Sequence, residues 1–252
     1  MNIIWLNMTD STNAHAVRNR YEVEELTIWS AHYQSEGKGQ RGNKWESSRS
    51  MNLTFSILVR PVDLQANAQF VVSQIASLAV VEYLAAKGVT AKIKWPNDIY
   101  VGDRKICGML IENFLSGDKL SESIIGIGIN INQLQFSPEI PNPTSLIRET
   151  NCNESYDLHR ELEIFSEIFE KLYLNSRASG RTLDELNLTY NRLLYRKGEY
   201  FRFLQTEYYN EGTPVEIVGK IVGIEEKTAR LIIELEDGQC RKYFFKEIAY
   251  II

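Results

Sequence analysis

Apolar and polar positions along this chain follow two periods, and the switches between them outline the elements. The opening IIWL is a short apolar run that predicts a strand, and it ends at Thr9-Asp10-Ser11. Each of those three residues can cap a helix, and Ser11 to Ala16 then runs into one. Leu26 to Tyr33 is β-branched and aromatic, a strand that leads into a glycine-rich stretch. Asn52 to Val59 alternates as another strand and stops at Pro61. Gln65 to Lys87 places Phe70, Ile75, Leu78 and Val81 at helical spacing, which predicts one long helix closed by Gly88 at its C′ position.

Ala91 to Trp95 predicts a strand broken by Pro96, and Asp98–Val101 with Lys105–Glu112 predicts a hairpin around Gly102-Asp103-Arg104. Ser123 to Asn132 is a strand whose glycines leave one face bare, and Leu158–Asn175 and Leu183–Leu194 are helices. From Glu199 onward the pattern is β-like throughout, with short strands and an Asp237-Gly238 turn, which predicts a small SH3-like barrel. The expected class is α+β, divided into domains 1–195 and 196–252.

With 44% hydrophobic residues in 252, the chain can build a packed core. Its net charge of −5 argues against nucleic acid or an anionic membrane as a partner of the whole chain. Any anion site must then be a local gathering of cations, which draws attention to Lys38, Arg41 and Lys44. Ile75 to Ala86, the longest mainly apolar segment, carries Ser77 and Glu82 and is too short to span a bilayer. No secretory signal opens the chain, and Cys107, Cys152 and Cys240 are isolated, as suits a reducing cytoplasm. Neither they nor His15, His32 and His159 have metal-ligand spacing, so no metal site is expected.

Gly37-Lys38-Gly39-Gln40-Arg41-Gly42 satisfies the G-x-G-x-x-G pattern of a dinucleotide loop. That pattern works only where the loop opens a helix whose N-terminus holds the pyrophosphate. Here NKWESSRSMNLTFSILV follows, polar and then β-rich, so the dinucleotide fold is excluded by context. A kinase glycine loop needs H-R-D and D-F-G motifs downstream, and neither is present. What remains is a cationic, glycine-rich loop between strands, suited to an anion, with Trp45 needing burial or a flat partner. A second stretch, Lys94-Trp95-Pro96-Asn97-Asp98, sets a lysine among residues that read as buried, where its charge is costly unless it is used.

Taken in order, these segments resemble the biotin protein ligases, in the short form without an N-terminal DNA-binding domain. The resemblance rests on Ser11-Thr12-Asn13, the loop from Gln34 to Trp45, Asn52-Leu53 and Lys94-Trp95-Pro96-Asn97-Asp98. It continues through Arg104-Lys105-Ile106-Cys107-Gly108, Gly126-Ile127-Gly128-Ile129-Asn130 and Pro143-Thr144-Ser145-Leu146 to the C-terminal SH3-like domain. It implies a mixed-sheet catalytic domain of the biotin/lipoate ligase type. The reaction it implies has two steps. Biotin and Mg-ATP, Mg2+ accompanying the nucleotide, give biotinyl-5′-AMP, and a lysine of a biotin carboxyl carrier protein domain of a carboxylase then takes the biotinyl group.

The resemblance also implies roles. Lys94 would draw the carboxylate and α-phosphate together, Lys38 and the loop would clamp the adenylate, and Arg41 would reach the ATP phosphates. Gly39, Gln40, Trp45, Asn97 and Asn130 complete the nucleotide side, with Trp45 on or near the adenine. Ser11, Thr12, Asn13 and Gln34 would meet biotin's ureido ring, with Gly37, Lys38, Gly108, Gly126 and Gly128 around it. Gln40-Arg41 replaces the two arginines common in the family, and Lys38 stands where arginine is common, which puts tight retention of the adenylate in doubt. No helix-turn-helix precedes Ser11, so repressor activity is not expected, and a homodimer is left open. The alternatives are a lipoate or octanoate ligase, and a non-catalytic adaptor working through its SH3-like domain.

Overall fold

The computed structural model describes residues 1–177, 183–206, 213–226 and 228–252, with the side chains of Arg41 and Leu183 outside the described residues. A seven-stranded mixed sheet forms from β1 (Asn2–Leu6), β2 (Thr27–Ala31), β3 (Leu53–Val59), β4 (Lys92–Lys94), β5 (Asp98–Val101), β6 (Arg104–Ser116) and β7 (Lys119–Ile129). Its order is β1-β2-β3-β7-β6-β5-β4, with β1 and β2 parallel and the other pairs antiparallel. α1 (Thr12–Asn19) covers one face, against β3 and β7. α2 (Phe70–Ala86) lies on the other face, with α4 (Leu158–Arg177) and α5 (Leu183–Arg192) packed on it and a short α3 (Leu146–Thr150) before them.

α2 is apolar nearly all round because it is covered nearly all round, by the sheet and by two helices. The segment Ala66–Ala86 has the length and apolarity to cross a bilayer, but most of it lies inside the molecule. The predicted helix from Gln65 is shorter in the structure. Ala66 N–H donates to Asp118 O and Ala66–Ala68 form a single 3-10 turn, so the helix proper begins at Phe70. Gly88 closes the helix with φ +77°, as expected. β6 and β7 form one long hairpin turning at Gly117, longer than the pattern predicted, because their pairing continues outward to Ser116 and Lys119.

The C-terminal strands β8 (Tyr200–Gln205), β9 (Val215–Ile224), β10 (Leu231–Leu235), β11 (Cys240–Tyr243) and β12 (Ile248–Tyr250) form a second, antiparallel sheet in the order β11-β10-β9-β8-β12. This curled sheet is the SH3-like element. Leu194 bridges Ile93 of the first sheet and Lys197 bridges Ile221 of the second, so the chain passes between the sheets there. Trp95 joins the two halves: its indole donates to Ala229 O at 3.1 Å and meets the Phe245 ring edge-on.

Buried Glu161 ties α4 to α2, accepting from the Tyr83 hydroxyl at 2.6 Å and from Lys87 Nζ at 2.7 Å. Removing the carboxylate leaves that hydroxyl buried without an acceptor. Glu161→Ala should therefore lower unfolding free energy by about 2 kcal/mol. Urea denaturation followed by circular dichroism measures it, and parental stability would show that the link contributes nothing.

Candidate active site

The site lies on the sheet face covered by α1. β3 directs Leu53, Phe55, Ile57 and Val59 to the helix-packed core, which leaves the small polar Thr54 and Ser56 on the opposite face. β7 repeats the arrangement, with Ile125, Ile127 and Ile129 in the core and Gly126 and Gly128 on the site face. Register brings these positions together, since Gly128 pairs with both Thr54 and Gly108, and Gly126 with both Ser56 and Leu110. A strip of the sheet therefore has almost no side chains.

One wall comes from α1 and Gln34. Ser11 is the N-cap residue, yet no side-chain hydrogen bond caps the helix, and buried Ser11 lines the slot instead. Gln34 Oε1 accepts from the Thr12 backbone N–H at 2.7 Å and from its hydroxyl at 3.1 Å. Asn13 is committed to the scaffold: Nδ2 donates to Leu110 O at 3.1 Å and to Glu112 at 2.7 Å, and Oδ1 accepts from Ser56 at 2.6 Å. A Cβ on Gly126 would overlap Asn13 Oδ1, so this glycine gives the asparagine its place.

The roof is the glycine loop, closed on itself by backbone bonds. Gly39 N–H donates to Asn43 O at 2.7 Å, Asn43 N–H to Gln40 O at 3.1 Å, and Trp45 N–H to Gly37 O at 2.9 Å. Gly42 takes the positive φ, +79°, that the turn requires. Gly37 sits at the base of the loop, where a Cβ would meet Trp45 O. The loop lays the Trp45 indole on the glycine strip, where a side chain at Gly128 would run into the ring and one at Gly108 would crowd it. Its Nε1–H is buried and makes no hydrogen bond. With the indole there, the slot measures about 50 Å³, below the roughly 300 Å³ at which small-molecule pockets begin.

A second cavity of about 270 Å³ opens beside the slot, between the loop and the C-terminal sheet. Lys94 reaches this cleft rather than the slot, with its ammonium 5.3 Å from the centre of the Tyr100 ring and 4.9 Å from that of Tyr250. Lys105 borders both spaces, 2.6 Å from Asp98 Oδ1 and 5.9 Å from the centre of the Trp45 ring. Asn97, Gly39 and Gln40 also border both, and Lys38 lines the slot. Asn97 is fixed by donating to Met109 O at 2.6 Å. Asn130 stands apart, since its amide donates to Thr144 O at 2.9 Å and holds the segment entering α3. Arg41 lies in the loop turn, but its side chain is outside the described residues.

Lys105 and Asp98 also line both spaces, and the sequence pattern assigned neither of them a place in the site. Strand alternation would put Lys105 and Gly108 on opposite faces. However, Ile99 pairs with Cys107 while Tyr100 pairs with Lys105, so Ile106 is an extra, bulged residue. The bulge turns Lys105 onto the site face, where Nζ stands 3.2 Å from where a Gly108 Cβ would lie. Among the described residues, no three of His, Cys, Asp and Glu gather as metal ligands.

A mixed sheet of an α+β fold thus carries a side-chain-poor slot, a cationic glycine loop over it and an adjoining cleft walled by the C-terminal sheet. The signature of the Biotin/lipoate A/B protein ligase family matches residues 5–130. The chain belongs to that family. It is 29% identical over 242 residues to the bifunctional ligase/repressor BirA of Bacillus spizizenii, covering 94% of this chain and 70% of that one. It is 34% identical over 129 residues to the biotin–[acetyl-CoA-carboxylase] ligase of Paracoccus denitrificans, covering 50% of this chain and 53% of the other. Its structure is similar to the biotin protein ligase of Aquifex aeolicus in complex with biotin and ATP, with a TM-score of 0.74, 27% identity, and 98% and 97% of the two chains covered.

Gly128→Ala tests the placement of Trp45. The added methyl should lift the indole off the strip, speed hydrogen exchange at Trp45 Nε1–H and cost about 1–3 kcal/mol of stability. Indole resonances followed by NMR would show it, and unchanged protection would mean the ring rests elsewhere.

Proposed function

We propose that this protein is a biotin protein ligase that activates biotin with Mg-ATP to biotinyl-5′-AMP and transfers biotin to a lysine of a biotin carboxyl carrier domain. The observation that carries this reading is the joining of two unlike spaces at Lys105: a narrow slot with hydroxyls and an amide at one end, and a wider cationic cleft. A compact bicycle with a flat ureido ring needs the first and a nucleotide needs the second. Ser11, Thr12 and Gln34 provide the donors and acceptors that a ureido group can satisfy. A dithiolane ring has nothing to offer them, and sites built to hydrogen-bond a polar group reject analogues lacking it. This favours biotin over lipoate or octanoate.

The chemical difficulty is a carboxylate approaching a triphosphate while negative charge builds at the α-phosphorus. Lys105 borders slot and cleft together, so its ammonium is set to neutralise both anions where they meet. Asp98 holds that ammonium in place at 2.6 Å. Lys94 and Lys44, farther into the cleft, serve the nucleotide, and Lys38 borders the slot from the loop. Phe245, Ile248 and Tyr250 wall the cleft from the C-terminal sheet, so that domain completes the nucleotide site. Biotin entry requires Trp45 to leave the glycine strip, and a displaced indole is well placed to pack on the adenine.

Pyrophosphate exchange into ATP tests the reaction, with biotin, lipoate or no acid added. Biotin-dependent exchange is expected, while lipoate-dependent exchange would indicate the other ligase class and none at all an adaptor. Lys105→Gln should lower single-turnover adenylation by roughly 10²–10³ and leave the ureido end of biotin binding intact. Lys94→Gln should act mainly by raising KM for ATP. The opposite ranking of the two variants would return the central role to Lys94.

A further inference from the structure

Three cavities meet at two side chains. Gln40 and Asn97 border the slot, the nucleotide cleft and a third cavity of about 300 Å³. Ile111 and Asn113 of β6 line the third cavity and alternate with Gly108 and Leu110 of the slot, while Met109 borders both. The third cavity therefore lies on the α2 face of the sheet. It reaches the junction around the edge of β6, which pairs with β5 only as far as Gly108. Its far wall is formed by Asn67, Phe70 and Ser73, where the chain enters α2.

The chemistry of this lining is distinctive. No charged side chain contributes to it among the described residues. Its floor is apolar, from Phe70, Met109 and Ile111, and its polar groups are neutral amides and hydroxyls. Several are already engaged: Asn113 Nδ2 donates to Gln69 Oε1 at 2.6 Å, and Asn97 donates to Met109 O. Gln40 Oε1, at the junction itself, is buried and has no donor.

We propose that this third cavity admits the side chain of the acceptor lysine, presented on a turn of the carrier protein, and that Gln40 Oε1 accepts a hydrogen bond from its amine. The proposal rests on the ligase function above and assigns the entry route of its second substrate. A lysine stem lies well against Phe70, Met109 and Ile111, with its polar end carried inward. That no carboxylate lines the cavity among the described residues matters because only the neutral amine is a nucleophile. Desolvation without a counter-ion favours loss of the proton to water on entry.

The slot holds the biotinyl chain and the cleft holds AMP, so a nucleophile must come from a third direction, onto a face of the planar acyl carbon. The nitrogen lone pair forms the new C–N bond and the C–O bond to phosphate breaks. AMP departs with that electron pair into the cleft, and its phosphate takes the second amine proton. No further reactant is required.

Obstruction at the cavity mouth separates transfer from activation. Asn67→Trp fills the mouth from an exposed position, and Ser73→Met narrows it from the helix with a residue that favours helix. Three rates are compared with the parent: biotin-dependent pyrophosphate exchange, capture of the bound adenylate by hydroxylamine, and transfer to a biotin carboxyl carrier domain. Exchange and hydroxylamine capture should be unchanged, and carrier biotinylation should fall roughly 100-fold, as for a misplaced reactant. Carrier biotinylation at the parental rate in both variants, with the parent active in exchange, overturns this route alone. A parent without biotin-dependent exchange overturns the ligase function, and the route with it.

Discussion

The site depends on close approach to bare backbone at Gly108, Gly126 and Gly128. Their registered pairing removes side chains from one patch of an otherwise well-filled sheet. Two things then become possible that no Cβ would allow. Asn13 drops against Gly126 and fastens the start of α1 to Ser56, Leu110 and Glu112. Trp45 lies flat on Gly128, bringing the glycine loop down with it. Wall and roof are thus both positioned by what the floor lacks. The opposite face of the same strands carries Phe55, Ile57, Ile125 and Ile127, which fix register through the core. The core sits on one face and the candidate site on the other.

Charge is arranged with the same economy. A chain of net charge −5 collects Lys38, Lys44, Lys94 and Lys105 around one slot and one cleft, with Asp98 the carboxylate among the residues lining them. Asp98 lies 2.6 Å from Lys105, so it orients a cation rather than opposing an incoming anion.

Much of this was legible in the sequence because local chemistry dictated it. The strands on either side of the loop, Gly88 at the end of α2 and the all-β C-terminus follow from period and turn residues. Ser11, Thr12, Gln34, Lys38 and the glycines of β6 and β7 do gather at one slot. Lys105 was obscured by a bulge, which breaks the two-residue period that any pattern argument assumes. Asn13 was visible as polar but not as a structural tie, since its partners lie about a hundred positions away, at Leu110 and Glu112. Asn130 shows the complementary case: its motif is near the site, while its amide is turned to Thr144. α3 and β12 are too short for any period to show.

The two sheets meet around one lysine of the cleft. Lys94 ends β4, and its ammonium lies between Tyr100 of the first sheet and Tyr250 of the second. The adjacent Trp95 reaches Ala229 and Phe245 across the same boundary. A cation poised between rings from two sheets keeps its position only while both sheets hold theirs. The aromatic faces attract the ammonium, and so couple its position to the packing of both sheets.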